Sequence, residues 1–188
     1  MVLEGSEREL VEACRRGDRD AFRMLFETYK NKVYSIALRF SGEPAVAMDI
    51  AQETFLKLFC SIQDFRGDAR FETWIYRLVV NSCLDHKRRT RRLLPLGGEF
   101  AGRLRAAGDS LAELMRSEVS GSVRTAVDRL APDLRIVIVL RYTEGLSYDE
   151  IAEVLGCATG TVASRLNRAH KTLERRLSHL VTKGGLHA

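Results

Sequence analysis

Hydrophobic residues recur at spacings of three and four along most of the chain, a pattern typical of helices that bury one face. Turn sequences interrupt this pattern at Gly17-Asp18, at Ser41–Pro44 and at Arg66–Ala69, where glycine or proline disfavours a continuing helix. After the second and third of these turns, the spacing predicts helices over residues 45–63 and 70–92. No alternating stretch is long enough to propose a β-strand. We therefore predict an all-α fold.

The segment from Leu146 to Leu177 carries the most specific local pattern. Ser147 followed by Glu150 is a capping box, which satisfies free amide groups at the start of a helix. Gly156 suits the left-handed residue that commonly ends one. A second helix follows, and two short helices joined by a tight glycine-containing turn form a helix-turn-helix. The apolar positions of the second helix, which are predicted to face the first, are Val162, Leu166, Ala169, Leu173 and Leu177.

The opposite face of this second helix is polar and basic, as a helix that enters the major groove of DNA requires. Arg can make bidentate contacts to guanine and Asn to adenine, while Lys and Ser can hold phosphates or base edges. The alternative is a solvated face on a small bundle, but the cap, the turn and the one-sided charge together favour DNA binding. The candidate duplex-binding residues are Thr161, Ser164, Arg165, Asn167, Arg168 and Lys171.

A glycine-rich segment separates two helical regions. Residues 93–118 contain Pro95 and glycines at positions 97, 98, 102 and 108, so we predict a flexible linker that is helical in part. The chain has 188 residues and 45% hydrophobic content, enough for two small cores. The expected division is a first domain over 1–92, a linker over 93–118, and a second domain over 119–188 that contains the helix-turn-helix.

Basic residues are concentrated in two places. The net charge is +5 and the pI is near 9.2, but one group of cations lies within Lys87–Arg92 and another within Arg165–Arg176. Two separated basic clusters indicate a polyanion that is contacted at two places. Phosphate contacts of this kind make binding fall steeply with salt.

The helix predicted after the Arg66–Ala69 loop has two different faces. An apolar face, which should be buried, carries Phe71, Ile75, Leu78 and Ser82. A ridge beside it carries Trp74, Arg77, Asn81 and Arg88. An aromatic ring, an amide and guanidinium groups on one ridge could hold unstacked bases and their phosphates, and the loop before the helix could form a pocket for an extruded base. For Trp74 alone, a place in the core is an equally good interpretation.

The chain closely resembles the extracytoplasmic-function (ECF) sigma factors of bacterial RNA polymerase, group IV of the family related to the primary sigma factor. The resemblance lies in DIAQETFLKLF at Asp49–Phe59, FRGDARFETWIYRLVVNSCLDHKRR at Phe65–Arg89 and GLSYDEIAEVLGCATGTVASRLNRA at Gly145–Ala169. It covers about residues 7–92 and 119–182. It implies a region-2 domain followed by a region-4 domain, in a promoter-specificity subunit with no chemistry of its own.

This resemblance also implies partners for the chain. They are core RNA polymerase, contacted at the coiled coil of its β′ subunit and at its β subunit, promoter DNA, and an anti-sigma factor that occludes both domains. The positions that match the exposed polymerase-docking surface of the family are Asp49, Gln52 and Glu53.

The resemblance assigns DNA contacts to both domains. The loop from Gly67 to Phe71 matches the one that captures a flipped base of the −10 element, and Asn81 with the basic run after it matches positions that touch the −10 strand. Ser164 and Arg168 match positions that read the −35 element. Together with the ridge, the −10 candidates are Gly67, Asp68, Ala69, Arg70, Phe71, Trp74, Arg77, Asn81 and Arg88.

The chain departs from the family pattern at three places. Ala163 stands where the family often has Lys or Arg, which removes one expected −35 contact. His170 replaces a frequent Arg. The linker is less acidic than expected of a segment that passes through the polymerase cleft. The −35 preference of a relative should therefore not be transferred to this chain.

Two other classes of protein are compatible with parts of the pattern. A helix-turn-helix transcriptional regulator would use the first domain as a sensor or dimerisation module and would bind a palindromic site as a dimer, but the first domain shows no ligand-binding constellation. An enzyme is the weakest alternative, because the histidines form no triad or metal set with acids and there is no phosphate-binding loop. We expect no catalytic residue, no metal and no cofactor. The histidines are His86, His170, His179 and His187.

The sequence also predicts a cytoplasmic protein without membrane insertion. Its start is charged from residue 4 and lacks the apolar core of a signal peptide, and no apolar run approaches the roughly 20 residues that span a bilayer. The cysteines are too widely spaced for a zinc motif. We expect them to be small apolar fillers in a reducing compartment. They are Cys14, Cys60, Cys83 and Cys157.

Overall fold

A computed structural model describes residues 3–65, 67, 69–93 and 111–184, and over these residues the chain forms helices and no strand. The predicted all-α fold is therefore confirmed. The chain divides into two compact units, Met1–Arg88 and Arg89–Ala188. Each unit has a core of its own.

The first domain contains four α-helices and a short 3₁₀ turn. They are α1 (Leu3–Arg15), α2 (Arg19–Ser41), α3 (Pro44–Ser61), the 3₁₀ turn (Ile62–Asp64) and α4 (Phe71–Leu93). Asp18 is the N-cap of α2, and its carboxylate accepts from two backbone amides of the first turn. Gly42 ends α2 with φ 80°, and Pro44 begins α3, where its missing N–H costs nothing. The predicted helix over 45–63 thus ends as an α-helix at Ser61 and tightens into the 3₁₀ turn.

The core of the first domain forms where α2, α3 and α4 meet. Its fully buried side chains include Leu25, Val33, Ile36, Phe40, Ile50, Leu58, Ile75 and Val79. The predicted apolar face of α4 is only partly right, because Leu78 is half-buried while Tyr76, Val80 and Cys83 are buried. The buried face of α4 is therefore rotated from the one that the spacing predicts.

The second domain is built around α6. Its helices are α5 (Leu111–Asp128), α6 (Pro132–Tyr142), α7 (Tyr148–Leu155) and α8 (Thr159–Gly184). Residues Arg135–Leu140 of α6 are all buried, so this helix has neighbours on every side. Helix α5 begins at Leu111, inside the segment predicted as linker, and residues 94–110 lie outside the described part of the chain.

A buried cation lies at the end of α5. Arg135 is 3% exposed and donates from Nη2 to the carbonyl of Leu130 at 3.4 Å. Burial lowers the pKa of Arg135, and the charge of Asp128 opposes that shift. The hydrogen bond from Arg135 to Leu130 links α6 to the turn that follows α5.

The cysteines do not share one environment. Cys14 and Cys83 are buried, as predicted for apolar fillers, but Cys60 is exposed and Cys157 is half-buried. The prediction is wrong for Cys60, because α3 turns that position away from the core. Among the described residues, no helix is both long and apolar enough to cross a membrane.

Candidate docking face and nucleic-acid surfaces

The helix-turn-helix is held by contacts at both ends of α7. The Ser147–Glu150 capping box and the left-handed Gly156 are both present, with φ 61° at the glycine. A further contact, which the spacing did not predict, joins the two helices: the Thr159 hydroxyl donates to Asp149 Oδ1 at 2.8 Å. These contacts set the angle at which α8 leaves the turn.

Helix α8 buries one face and exposes the other, as predicted. Val162, Leu166 and Ala169 are buried, while Leu173 and Leu177 are half-buried towards the end of the domain. Of the candidate duplex-binding residues, the exposed ones are Ser164, Asn167, Arg168 and Lys171, and the half-buried ones are Thr161 and Arg165. The structure therefore brings all six to one continuous surface of α8.

Local hydrogen bonds orient part of this surface. The Ser164 hydroxyl donates to the carbonyl of Thr161 at 2.9 Å. Arg168 donates from Nε to the carbonyl of Ser164 at 3.4 Å, which lays its side chain back along the helix. The guanidinium is thus carried towards the first half of α8, the part that contacts base edges in a recognition helix.

A pair of exposed rings borders the same surface. The Tyr142 hydroxyl and His170 Nε2 are hydrogen-bonded at 2.8 Å, and their rings lie 5.8 Å apart. The pair links the end of α6 to α8. In the sequence His170 stands out only as a departure from Arg and Tyr142 does not stand out at all, because a contact over 28 positions leaves no trace in local spacing.

The ridge on α4 is less uniform than its spacing predicts. Asn81 and Arg88 are exposed, whereas Trp74 and Arg77 are half-buried. The Trp74 ring packs at 5.1 Å from that of Phe65 and at 5.5 Å from that of Phe71. Part of its π-face is therefore covered by the domain itself, so Trp74 lies between the two interpretations, neither fully in the core nor fully exposed on the ridge.

The loop before α4 is flanked by Phe65 and Phe71, whose ring centroids lie 5.2 Å apart. Gly67 has φ 77°, a left-handed conformation that an L side chain rarely adopts. Ala69 is half-buried and Arg70 is exposed. Phe71 is only 4% exposed, so its ring contributes to the core. Asp68 lies outside the described residues. The first turn of α4 is tied to α2 by an ion pair between Lys32 and Glu72.

The candidate docking face lies on α3. Asp49 and Gln52 are exposed as expected, but Glu53 is half-buried and forms an ion pair with Lys57 at 3.0 Å. Large apolar side chains are exposed on the same helix: Met48 at 50%, Leu56 at 65% and Phe59 at 61%. Sequence reasoning missed these, although Leu56 lies one turn from both Gln52 and Glu53. The surface is mixed acidic and apolar, a composition suited to a protein partner.

The described residues offer no metal site, since no group of three or more His, Cys, Asp or Glu side chains is placed to hold an ion.

Comparisons with known proteins agree with this arrangement. The family described as Sigma-70 region 2 matches residues 25–93, and the family described as Sigma-70, region 4 matches residues 120–173. The chain is 34% identical over 190 residues to the ECF RNA polymerase sigma-E factor of Haemophilus influenzae, covering 96% of this chain and 100% of that protein.

Two solved structures are similar as well. That of CnrH in complex with the cytosolic domain of CnrY has a TM-score of 0.65 at 26% identity, covering 92% of this chain and 97% of that one. That of the sigma factor RpoE in complex with the anti-sigma factor NepR from Bartonella quintana has a TM-score of 0.63 at 21% identity, covering 84% and 96%, and shows the same fold.

The chain therefore belongs to the ECF sigma factors of bacterial RNA polymerase, with a region-2 domain followed by a region-4 domain. It is a non-enzymatic initiation factor that binds RNA polymerase and directs promoter-specific transcription. A helix-turn-helix regulator with an N-terminal sensor is disfavoured, because region 2 occupies the place of the supposed sensor.

Proposed function

We propose that three separate surfaces of this sigma factor divide the work of initiation. The α3 face with Asp49, Gln52 and Glu53 docks on the coiled coil of the polymerase β′ subunit, the α4 ridge and its preceding loop capture the melted −10 strand, and the outer face of α8 reads the −35 duplex. The observation that carries this proposal is that each surface presents exposed polar or charged side chains on a helix whose opposite face is buried in a core.

The −10 surface combines cations that can contact phosphates with groups that can contact bases. Lys87, Arg88 and Arg89 are exposed at the end of α4 and can follow the phosphates. Exposed Asn81 can reach a base edge, and the loop around Gly67 can receive an extruded base. Extruding a base costs a few kcal/mol, which its capture in a pocket offsets.

The −35 surface is cationic and rigid. Ser164, Asn167, Arg168 and Lys171 are all exposed. In this proposal Arg168 reads a base by a bidentate contact and Lys171 holds a phosphate. Because these groups share one helix, their backbone positions keep a fixed spacing along the major groove.

We further propose that an anti-sigma factor binds this chain and occludes both domains. CnrH is bound to the cytosolic domain of CnrY and RpoE to the anti-sigma factor NepR. The exposed Leu56 and Phe59 provide apolar area for such a partner as well as for polymerase. We also propose that this sigma factor acts in the cytoplasm. Its functional domains would be residues 1–92 and 119–188, and the β subunit would be its second contact on polymerase.

Promoter specificity is tested by run-off transcription on a randomised promoter pool. Transcripts should appear only when core polymerase and this chain are both present, and they should share −35 and −10 sequences. If the chain alone, without polymerase, bound and enriched the same promoter DNA from the pool, an ordinary regulator would be indicated instead.

The docking surface is tested by charge reversal. The double variant Asp49→Arg and Glu53→Arg should lose core polymerase in a pull-down while its affinity for −35 duplex stays unchanged. The matched control is Glu9→Arg with Glu27→Arg, which changes the charge equally at exposed positions on α1 and α2. Unaltered capture of polymerase by the Asp49 and Glu53 variant would rule out this placement.

A further inference from the structure

Lys57 lies between the two proposed working surfaces of the first domain. Its Nζ is 3.0 Å from Glu53 Oε1 on α3, and across the helix interface it is 3.4 Å from Asp85 Oδ2 on α4. It also donates to the hydroxyl of Ser82 at 3.2 Å. Since Ser82 is fully buried, the ammonium group is anchored at the boundary between the two helices.

The contacts continue along α4. Arg88 donates from Nη1 to Asp85 Oδ1 at 3.3 Å, while the other oxygen of Asp85 faces Lys57. Four side chains therefore alternate in charge, in the order Glu53, Lys57, Asp85, Arg88. The first belongs to the proposed docking face and the last to the proposed −10 surface.

Both inner members of this row are shared. Lys57 divides its charge between two carboxylates, and Asp85 divides its charge between two cations. If a cationic group of polymerase approaches Glu53, the attraction between Glu53 and Lys57 weakens and Lys57 is free to move closer to Asp85. Asp85 then holds Arg88 less firmly, because Lys57 already neutralises the charge of the Asp85 carboxylate.

We propose that Lys57 is a positioning residue that couples polymerase docking to the release of Arg88 for the −10 strand. This inference rests on the proposed roles of the α3 face and of Arg88. By thermodynamic linkage the effect is reciprocal, so strand bound at Arg88 favours docking at Glu53.

Lys57→Met gives a result that simple loss of structure cannot imitate. Without the ammonium group, one cation fewer competes with polymerase for Glu53, and one cation fewer competes with Arg88 for Asp85. Core polymerase should therefore bind more tightly and the −10 strand more weakly, by about two- to fivefold each, as expected for partly exposed ion pairs. A variant that only damages the domain would weaken both.

Strand affinity is measured on the assembled complex of full-length chain and core polymerase. The probe is a fluorescent single-stranded oligonucleotide that carries the −10 region of a promoter transcribed by the chain, followed by anisotropy. Lys57→Arg, which keeps a cation, should restore both affinities. Lys30→Met removes the same charge from an exposed pair with Glu27 on α2 and should change neither.

A double-mutant cycle separates positioning from mere loss of positive charge near DNA. If Lys57 acts through Asp85, Lys57→Met should no longer weaken strand binding in an Asp85→Asn background. An undiminished effect in that background would overturn the inference, as would parallel weakening of both affinities or no change in either.

Two reference variants keep failure of the inference distinct from failure of the proposed function. Glu53→Arg should weaken docking and Arg88→Ala should weaken strand binding. If either has no effect, that surface is misplaced and the inference falls with it. If both behave as expected while Lys57→Met does not shift the two affinities in opposite directions, the coupling alone is wrong.

Discussion

Ser147 and Glu150 bond to each other's backbone amides at the start of α7. The amide of Ser147 donates to Glu150 Oε2 at 2.7 Å, and the amide of Glu150 donates to Ser147 Oγ at 3.2 Å. At the other end, the amide of Gly156 donates to carbonyls of the last turn. Both ends of this eight-residue helix are thus held by contacts within the segment, which fixes where the turn into α8 begins.

The first prediction concerns Gly156, whose φ of 61° disfavours any side chain. Gly156→Ala should destabilise the second domain by about 1–2 kcal/mol. A Cβ at either Gly156 or Gly160 would point into open space, with no packed atom within 4 Å, so the cost at Gly156 would be conformational rather than steric. Gly160 is helical, and Gly160→Ala should keep or raise stability, by up to about 1 kcal/mol.

Urea unfolding followed by far-UV circular dichroism measures both glycine variants. Trp74 is the only tryptophan of the chain and belongs to the first domain, so its fluorescence transition provides an internal control that should not move. Equal effects of Gly156→Ala and Gly160→Ala would show that the left-handed conformation does not decide the stability of the turn.

The second prediction concerns base readout by Arg168. Arg168→Ala should cost about 1–3 kcal/mol and relax the preference at a single −35 position. The measurement is duplex affinity across a set of single-base variants of a −35 element. Arg175→Ala, which removes an exposed cation further along α8, is the charge-matched control. An equal loss on every duplex would identify Arg168 as a phosphate contact.

The third prediction is that the two domains prefer different forms of DNA. A fragment that ends near Arg92 should bind single-stranded −10 sequence better than duplex. Stacking of a base on a protein side chain contributes roughly 1–3 kcal/mol per base, and duplex DNA hides the faces of its bases. The second domain should prefer duplex, because α8 requires an intact major groove. Its fragment should begin no later than Leu111, where α5 starts.

Titration of both fragments against both forms of a matched promoter, repeated with core polymerase for the first fragment, checks this division. Preference of the first fragment for duplex would contradict the proposed role of the α4 ridge.

The fourth prediction concerns the thiols. Cys60 is exposed and Cys83 is buried, and burial raises the pKa of Cys83 to about 12. Iodoacetamide should therefore modify Cys60 in the native chain and Cys83 only after unfolding, since the thiolate is the reactive form. Peptide mass spectrometry gives both rates, and Cys60→Ser should remove the fast one. Similar native rates at both positions would contradict the burial of Cys83.

The raised pKa of Cys83 also predicts how the stability of the first domain changes with pH. The folded domain keeps the Cys83 proton above pH 9.0, the ordinary thiol value, whereas the unfolded chain releases it. The contribution of Cys83 is thus fully present below that value and is lost as the pH rises towards about 12. The free energy of unfolding of the first domain should fall over this alkaline range.

Local patterns predicted most of the helices and their ends correctly. Asp18, Gly42 and Pro44 mark helix ends through bonds and torsions that involve only nearby residues. The start of α5 at Leu111 was not located, because glycines at positions 102 and 108 and a mixed charge pattern resemble a linker. The buried face of α4 was rotated for a different reason: several of its apolar positions compete for the core, and only the neighbouring helices decide among them.

The amino-acid sequence alone was enough to predict the class of protein, the two-domain organisation and the exposed face of α8. Periodicity, capping residues and the three segments that resemble the family can each be recognised within a short stretch of chain. Tertiary packing decided which side chains are actually available. It covered Trp74 with Phe65 and Phe71, turned Cys60 outwards, joined Tyr142 to His170, and placed Lys57 between Glu53 and Asp85. The ring contacts and cross-helix bonds join residues on different elements, and the exposure of each side chain depends on how those elements pack. Since such distances are set by the packing of whole helices, no local spacing encodes them.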